Sequence, residues 1–145
     1  MINNYISQTQ SAFIPGRYIL DAAVVLHETL HEINKKKLNA VVLKLDFEKA
    51  YDKVKWPFLQ QALRIKGFSP QWCSWIQKVT TKGFVAVKVN NDIGHFFHTK
   101  KGVRQGDPLS PLLFNLAADF LAILINRAKT NGLISRVIPL SLIHI

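Results

Sequence analysis

Apolar residues first recur with a helical period at Ile19, Ala23, Leu26, Leu30 and Ile33, which predicts a helix over about residues 18–35, after the break at Pro15-Gly16. The pattern then shortens. Ala40 to Leu45 is an apolar run of β-branched character, interrupted by Lys44 and ending at Asp46, and predicts a strand covered largely on both faces. Trp56-Pro57 sets a proline in the first turn of a second helix, which runs to about Lys66 and is stopped by Gly67. Ser69-Pro70 supplies an N-cap and a first helical position for a third helix through Trp72, Trp75, Ile76 and Val79.

Beyond that helix the period is two. Val85, Val87 and Val89 alternate with Phe84, Ala86 and Lys88, turn-forming residues occupy 90–94, and His95 to Lys101 forms a second alternating run, which together signal a hairpin. Gly102, Gly106, Pro108 and Pro111 crowd the following loop, and Ser110-Pro111 opens a long apolar helix ending near Asn131-Gly132. The predicted order is helix, strand, two helices, hairpin, loop, helix and short strand, an α+β domain with a small sheet covered by helices. The most apolar stretch, Leu112 to Ile125, carries Asn115 and Asp119 and is shorter than the roughly 18 apolar residues of a membrane span, so it reads as a core helix with no membrane partner.

Composition adds a direction. The 145 residues suit one domain, and 48% hydrophobic with 19% charged residues excludes intrinsic disorder. Nineteen Lys and Arg against nine Asp and Glu leave a net charge of +10, concentrated in residues 44–104, where twelve basic residues face four acids. Such a field favours polyanions such as nucleic acid or an acidic membrane surface. Cys73 is the single cysteine, so no internal disulfide forms, and Met1 to Gln10 has no basic start followed by an apolar run. Both features predict an intracellular protein, nuclear or cytoplasmic, that is not secreted.

Two segments carry candidate chemistry. Asp46 ends the predicted strand, where open sheets place ligands, and the run from Leu43 to Asp52 holds three acids and two lysines that could bind a divalent cation and a phosphate. A charged loop with acids paired to nearby lysines accounts for the same residues. From Gly102 to Pro111, two glycines admit close backbone approach, Arg104 and Gln105 offer donors, and the loop leads into a helix N-terminus, a setting for a triphosphate or a nucleic-acid backbone. A structural turn between hairpin and helix is the plain alternative.

Leu45-Asp46-Phe47-Glu48-Lys49-Ala50-Tyr51-Asp52 resembles the first catalytic-carboxylate motif of the reverse transcriptase palm. Gln105-Gly106-Asp107-Pro108-Leu109-Ser110-Pro111 resembles the nucleotide-site motif that follows it, and Gln10 to Arg17 resembles an upstream element. The resemblance is to non-LTR retrotransposons, particularly those of plants. It covers about residues 8–139 of a partial domain spanning 1–145, with 140–145 as an unrelated tail. Ordered motifs at family-like spacing are far more specific than either alone.

The resemblance implies an incomplete polymerase palm with part of the fingers, from an enzyme of RNA-templated DNA synthesis. By that resemblance Asp46 binds the two catalytic magnesium (or manganese) ions and the backbone carbonyl of Phe47 is a further ligand. Tyr51 lies under the sugar of the incoming nucleotide and disfavours a ribose 2′-hydroxyl, while Gln105 and Gly106 line the nucleotide pocket. Arg17 and Arg104 belong with template and primer. The implied partners are an RNA template, a DNA primer and deoxynucleoside triphosphates. Two-metal transfer needs ions about 3.5 to 4 Å apart held by several hard oxygens. The family draws further carboxylates from an Ala-Asp-Asp hairpin, and no two aspartates are adjacent here. The expectation is therefore a chain that does not polymerise alone and binds the metal weakly. The alternatives are a basic nucleic-acid-binding module without catalysis and a transposon remnant without function.

Other residues read as structural. His27 and His31 share a helix face without a third ligand, a solvated face rather than a zinc site. Trp56, Trp72, Trp75, Phe84, Phe96, Phe97 and Phe120 could stack on bases, but their spacing suits core packing. Cys73 reads as a small buried filler.

Overall fold

A computed structural model describes residues 5–135 and divides into two compact units. One comprises the chain up to Phe47 together with Ala118 onward, and the other is Glu48–Ala117.

In the first unit, helix α1 spans Ile19–Lys35, as its periodicity predicts. Asp21 in its first turn and Lys35 in its last complement the helix dipole. Lys36 pairs with Glu32 at 2.8 Å, and the bond from its ammonium holds the Glu32 carboxyl below the usual carboxylate range. Ala22 is the one buried residue of α1, while Leu20 and Val24 stay exposed, so the described residues leave its apolar face uncovered. The core here comes instead from the preceding loop, where Ile6, Gln10, Ser11, Ala12 and Ile14 are buried.

The strand predicted over Ala40 to Leu45 does not form. The segment has no ladder partner among the described residues and is exposed throughout, Val41 at 93%. A strand persists only where its backbone N–H and C=O groups pair with a neighbour, so β-branched composition alone cannot hold one. After the last helix, where a short strand is predicted, residues 131–134 form a turn and bend and no strand forms among the described residues. The remainder, with the tail at 140–145, lies outside the described residues.

The second unit is built on helices α2 (Trp56–Ile65) and α3 (Pro70–Thr81), packed on each other. Leu59, Ala62 and Leu63 of α2 are wholly buried and Cys73 and Ile76 of α3 nearly so. Each buried leucine contributes about 1.5–3 kcal/mol relative to exposure. Gly67, with φ of +82°, ends α2, and the Phe68 N–H returns to the Leu63 carbonyl at 3.1 Å. Ser69 Oγ accepts from Trp72 N–H at 3.2 Å, the predicted N-cap.

The hairpin forms in two pieces. Strand β1 (Phe84–Val85) pairs antiparallel with β4 (Phe97–His98), and β2 (Lys88–Val89) with β3 (Asp92–Ile93). The registers place Phe84 opposite His98 and Lys88 opposite Ile93, so Ala86-Val87 faces three residues, Gly94 to Phe96, across a bulge. Helix α4 spans Ser110–Thr130, its early turns in this unit and the rest in the first. Its 21 residues are long and apolar enough, by length and composition, to cross a bilayer. Leu113, Asn115 and Leu116 early, and Asp119 and Ala122 later, are buried, while Ile123 and Leu124 are exposed. The observed class is α+β, as predicted, with the sheet reduced to the hairpin.

Candidate functional site

In the second unit, the loop after Tyr51 and the loop after Gly102 are joined by their backbones. Gly102 N–H donates to the Val54 carbonyl at 2.8 Å, and Val103 N–H to the Tyr51 carbonyl at 2.9 Å. The Trp56 indole N–H donates to the Gly102 carbonyl at 2.6 Å, so the start of α2 helps hold the junction. Gly102 has φ of +91°, and a Cβ there would stand 3.0 Å from the Asp52 carbonyl oxygen. Only glycine meets both conditions.

This junction sets two motifs, distant in sequence, around one cavity. It measures about 570 Å³ and is walled by Tyr51 on one motif and by Gln105, Gly106, Asp107, Pro108, Ser110 and Pro111 on the other. The Tyr51 ring rests against Phe114 of α4, centroids 5.2 Å apart and tilted 32°, which fixes its plane. Gln105 Nε2 donates a long hydrogen bond of 3.5 Å to Asp52 Oδ1. Gly106, with φ of +85°, has open space where a Cβ would stand. Asp107 turns the chain into α4: its Oδ1 accepts from Leu109 N–H at 2.9 Å and its carbonyl from Ser110 N–H at 3.1 Å. A second recess of about 280 Å³ adds Arg104 to Gln105, Gly106 and Asp107.

Volumes of a few hundred Å³ suit a small organic ligand. A fixed aromatic ring, an amide, a glycine backbone and a helix start offer a flat surface, directional donors and a dipole favouring anions.

The remaining predicted residues lie in the first unit. Asp46 and Phe47 are exposed, at the end of the segment that does not form a strand. Among the described residues, no group of three His, Cys, Asp or Glu gathers where it could hold a metal ion. Magnesium needs several hard oxygens in near-octahedral array, so the described side chains do not complete a magnesium site. Arg17 is turned inward: its Nη1 donates to the Ser7 carbonyl and, at 2.6 Å, to the Gln10 carbonyl, and its Nη2 to the Ile6 carbonyl at 3.5 Å. Ser7 N–H in turn donates to Asp119 Oδ1 at 2.9 Å. His27 and His31 are exposed on α1.

The structure therefore brings together Tyr51, Gln105 and Gly106, with Arg104 at the adjoining recess. Sequence reasoning missed Phe114 as the support of Tyr51 and Trp56 as a latch. The crowding of Gly102 beside a hairpin was the signal for close backbone approach, but it did not point to Asp52.

Residues 1–137 match the family described as reverse transcriptase (RNA-dependent DNA polymerase). The chain is 34% identical over 126 residues to the transposon TX1 uncharacterized 149 kDa protein of Xenopus laevis, covering 86% of this chain and 10% of that protein. It is 33% identical over 110 residues to the retrovirus-related Pol polyprotein from type-1 retrotransposable element R2 of Nasonia vitripennis, covering 76% of this chain and 11% of that protein. For the corresponding R2 polyprotein of Popillia japonica the values are 34% over 85 residues, 59% and 14%. The chain spans only about a tenth of the length of these relatives.

Proposed function

The chain belongs to the reverse transcriptase family, and on that premise we propose that it is a palm-and-fingers portion of a retrotransposon enzyme that copies RNA into DNA. The supporting observation is the cavity walled jointly by Tyr51 and the Gln105-Gly106 loop. In this reading the cavity takes the base and sugar of a deoxynucleoside triphosphate. Gln105 presents its amide to the nucleotide and Gly106 leaves room for it. Tyr51, held by Phe114, presents its ring to the sugar and disfavours a 2′-hydroxyl.

Asp46 and the Phe47 carbonyl are the proposed ligands for magnesium or manganese, which would activate the primer hydroxyl and neutralise the leaving pyrophosphate. No two aspartates are adjacent here, as the family's Ala-Asp-Asp hairpin would supply, so the contribution assigned to this chain is binding rather than complete catalysis. Arg104 at the adjoining recess suits a phosphate of template or primer. The proposed setting is intracellular, nucleus or cytoplasm, where a lone buried thiol such as Cys73 stays reduced.

Equilibrium binding of fluorescent dATP and ATP to the whole chain tests this. Wild type should prefer dATP, Tyr51→Ala should erase the preference, and Gln105→Ala should weaken both. Equal binding of both nucleotides by wild type and Tyr51→Ala sinks the assignment. A primer-extension assay with RNA template and magnesium should show no product, and robust extension overturns the restriction to binding.

The excess of twelve basic residues over four acids in 44–104 favours a second reading, a nucleic-acid-binding module without chemistry. Under it Asp46→Ala leaves oligonucleotide binding unchanged or slightly tighter, and nucleotide discrimination is absent.

A further inference from the structure

The hairpin arm is a surface the cavity does not use. From Phe84 to His98 every residue except half-buried Ala86 is exposed, including Phe84 (62%), Phe96 (67%) and Phe97 (49%). Their spacing predicts rings packed in a core, and the fold leaves them exposed. Four two-residue strands with both faces wet gain little from burial, so packing does not explain the arm's composition.

Its charge and rings point elsewhere. Between Lys82 and Lys101 the chain carries four lysines, Lys82, Lys88, Lys100 and Lys101, against one acid, Asp92. The Phe84 ring lies 4.0 Å from the His98 ring at 40°, joining two flat side chains across β1 and β4. The bulge adds a residue beside Phe96 and shifts the register, the usual way a strand re-aims side chains. Exposed rings among cations are what unpaired bases on a phosphate backbone need: rings stack on bases of any sequence, and lysines release counterions.

We propose that the Lys82–Lys101 arm is a binding site for single-stranded nucleic acid, with Phe84, His98 and Phe96 stacking on bases and Lys88, Lys100 and Lys101 meeting phosphates. The proposal rests on the polymerase reading for the identity of the partner, and it names the element that grips the strand. Charge complementarity selects a polyanion over a protein segment that would cover the same apolar side chains, because covering them alone requires no excess of lysine.

Fluorescence anisotropy of the whole chain with labelled oligo(U) and oligo(dT) 16-mers, across a potassium chloride series, tests it. Wild type should weaken steeply with salt. The triple change Lys88→Gln, Lys100→Gln and Lys101→Gln should lower the magnitude of the log–log slope by about 2, at roughly 0.7 per single-strand phosphate contact. Phe84→Ala or Phe96→Ala should weaken binding about tenfold or more with the slope unchanged. All variants should retain wild-type circular dichroism and wild-type dATP binding.

The proposal is overturned if wild type binds no oligonucleotide at low salt, or if these variants bind like wild type with the same slope. It is equally overturned if Phe84→Ala and Phe96→Ala change self-association alone, the outcome of a face that covers protein. Loss of dATP discrimination with the arm effects intact defeats the nucleotide-site reading only; the reverse pattern defeats only the arm.

Discussion

Gly102 stands against the backbone of Asp52: a Cβ on Gly102 would come within 3.0 Å of the Asp52 carbonyl oxygen and 3.1 Å of its Cα. The contact is backbone on backbone, so neither side can move aside as a flexible side chain would. Gly102 also has φ of +91°, and its carbonyl is tied to the Trp56 indole.

Gly102→Ala is therefore expected to destabilise the second unit by about 2–3 kcal/mol, combining backbone strain with displacement of the Asp52 loop. Gly106→Ala is the matched control. Its φ of +85° imposes the same strain but nothing lies within 4 Å, so about 1–2 kcal/mol is expected. Urea denaturation of both variants checks this, and equal losses would mean that the Asp52 contact does not matter.

Arg17 bonds three carbonyls, from Ile6, Ser7 and Gln10, in a loop where Gln10, Ser11 and Ala12 are buried. Arg17→Met keeps the apolar stem and removes the donors, leaving half-buried carbonyls to compete for water. A loss of about 1–3 kcal/mol is expected. Amide hydrogen exchange over residues 6–12 should accelerate, with little change in oligonucleotide affinity. If affinity instead falls while exchange is unchanged, Arg17 acts on the template directly.

Gln60 is buried on α2, and neither its Nε2 nor its Oε1 has a partner among the described residues. A buried unsatisfied amide costs about 1–3 kcal/mol, so Gln60→Met, similar in length and fully apolar, should stabilise the chain by about 1 kcal/mol. Thermal denaturation would read this as a raised Tm. A lowered Tm would point to a buried water satisfying the amide.

Val41 is 93% exposed in the segment expected to be a covered strand. Val41→Ser should change stability by less than about 0.5 kcal/mol, and amides 40–46 should exchange with little protection. A loss above about 2 kcal/mol would restore the covered strand.

How far the chain could be read in advance depended on the range of the forces involved. Helices α1 to α4 and the hairpin were legible because proline at N1, serine at the N-cap, glycine at the C-terminus and the two periodicities act within a few residues. Tyr51, Gln105 and Gly106 were legible through motif resemblance, since those residue types stand at family-like positions. What the local pattern could not carry was pairing. Val41 and Leu43 have strand-like side chains, but a ladder needs a second segment, and only the tertiary arrangement shows that no described residue supplies one. The Phe84 and Phe96 rings have the alternation of a core strand, yet the fold leaves them in water. The amino-acid order by itself determined the local elements, the charge and the family likeness. Only the tertiary structure decided which motifs meet, because the Gly102–Asp52 junction and the Tyr51–Phe114 contact join residues that no local rule connects.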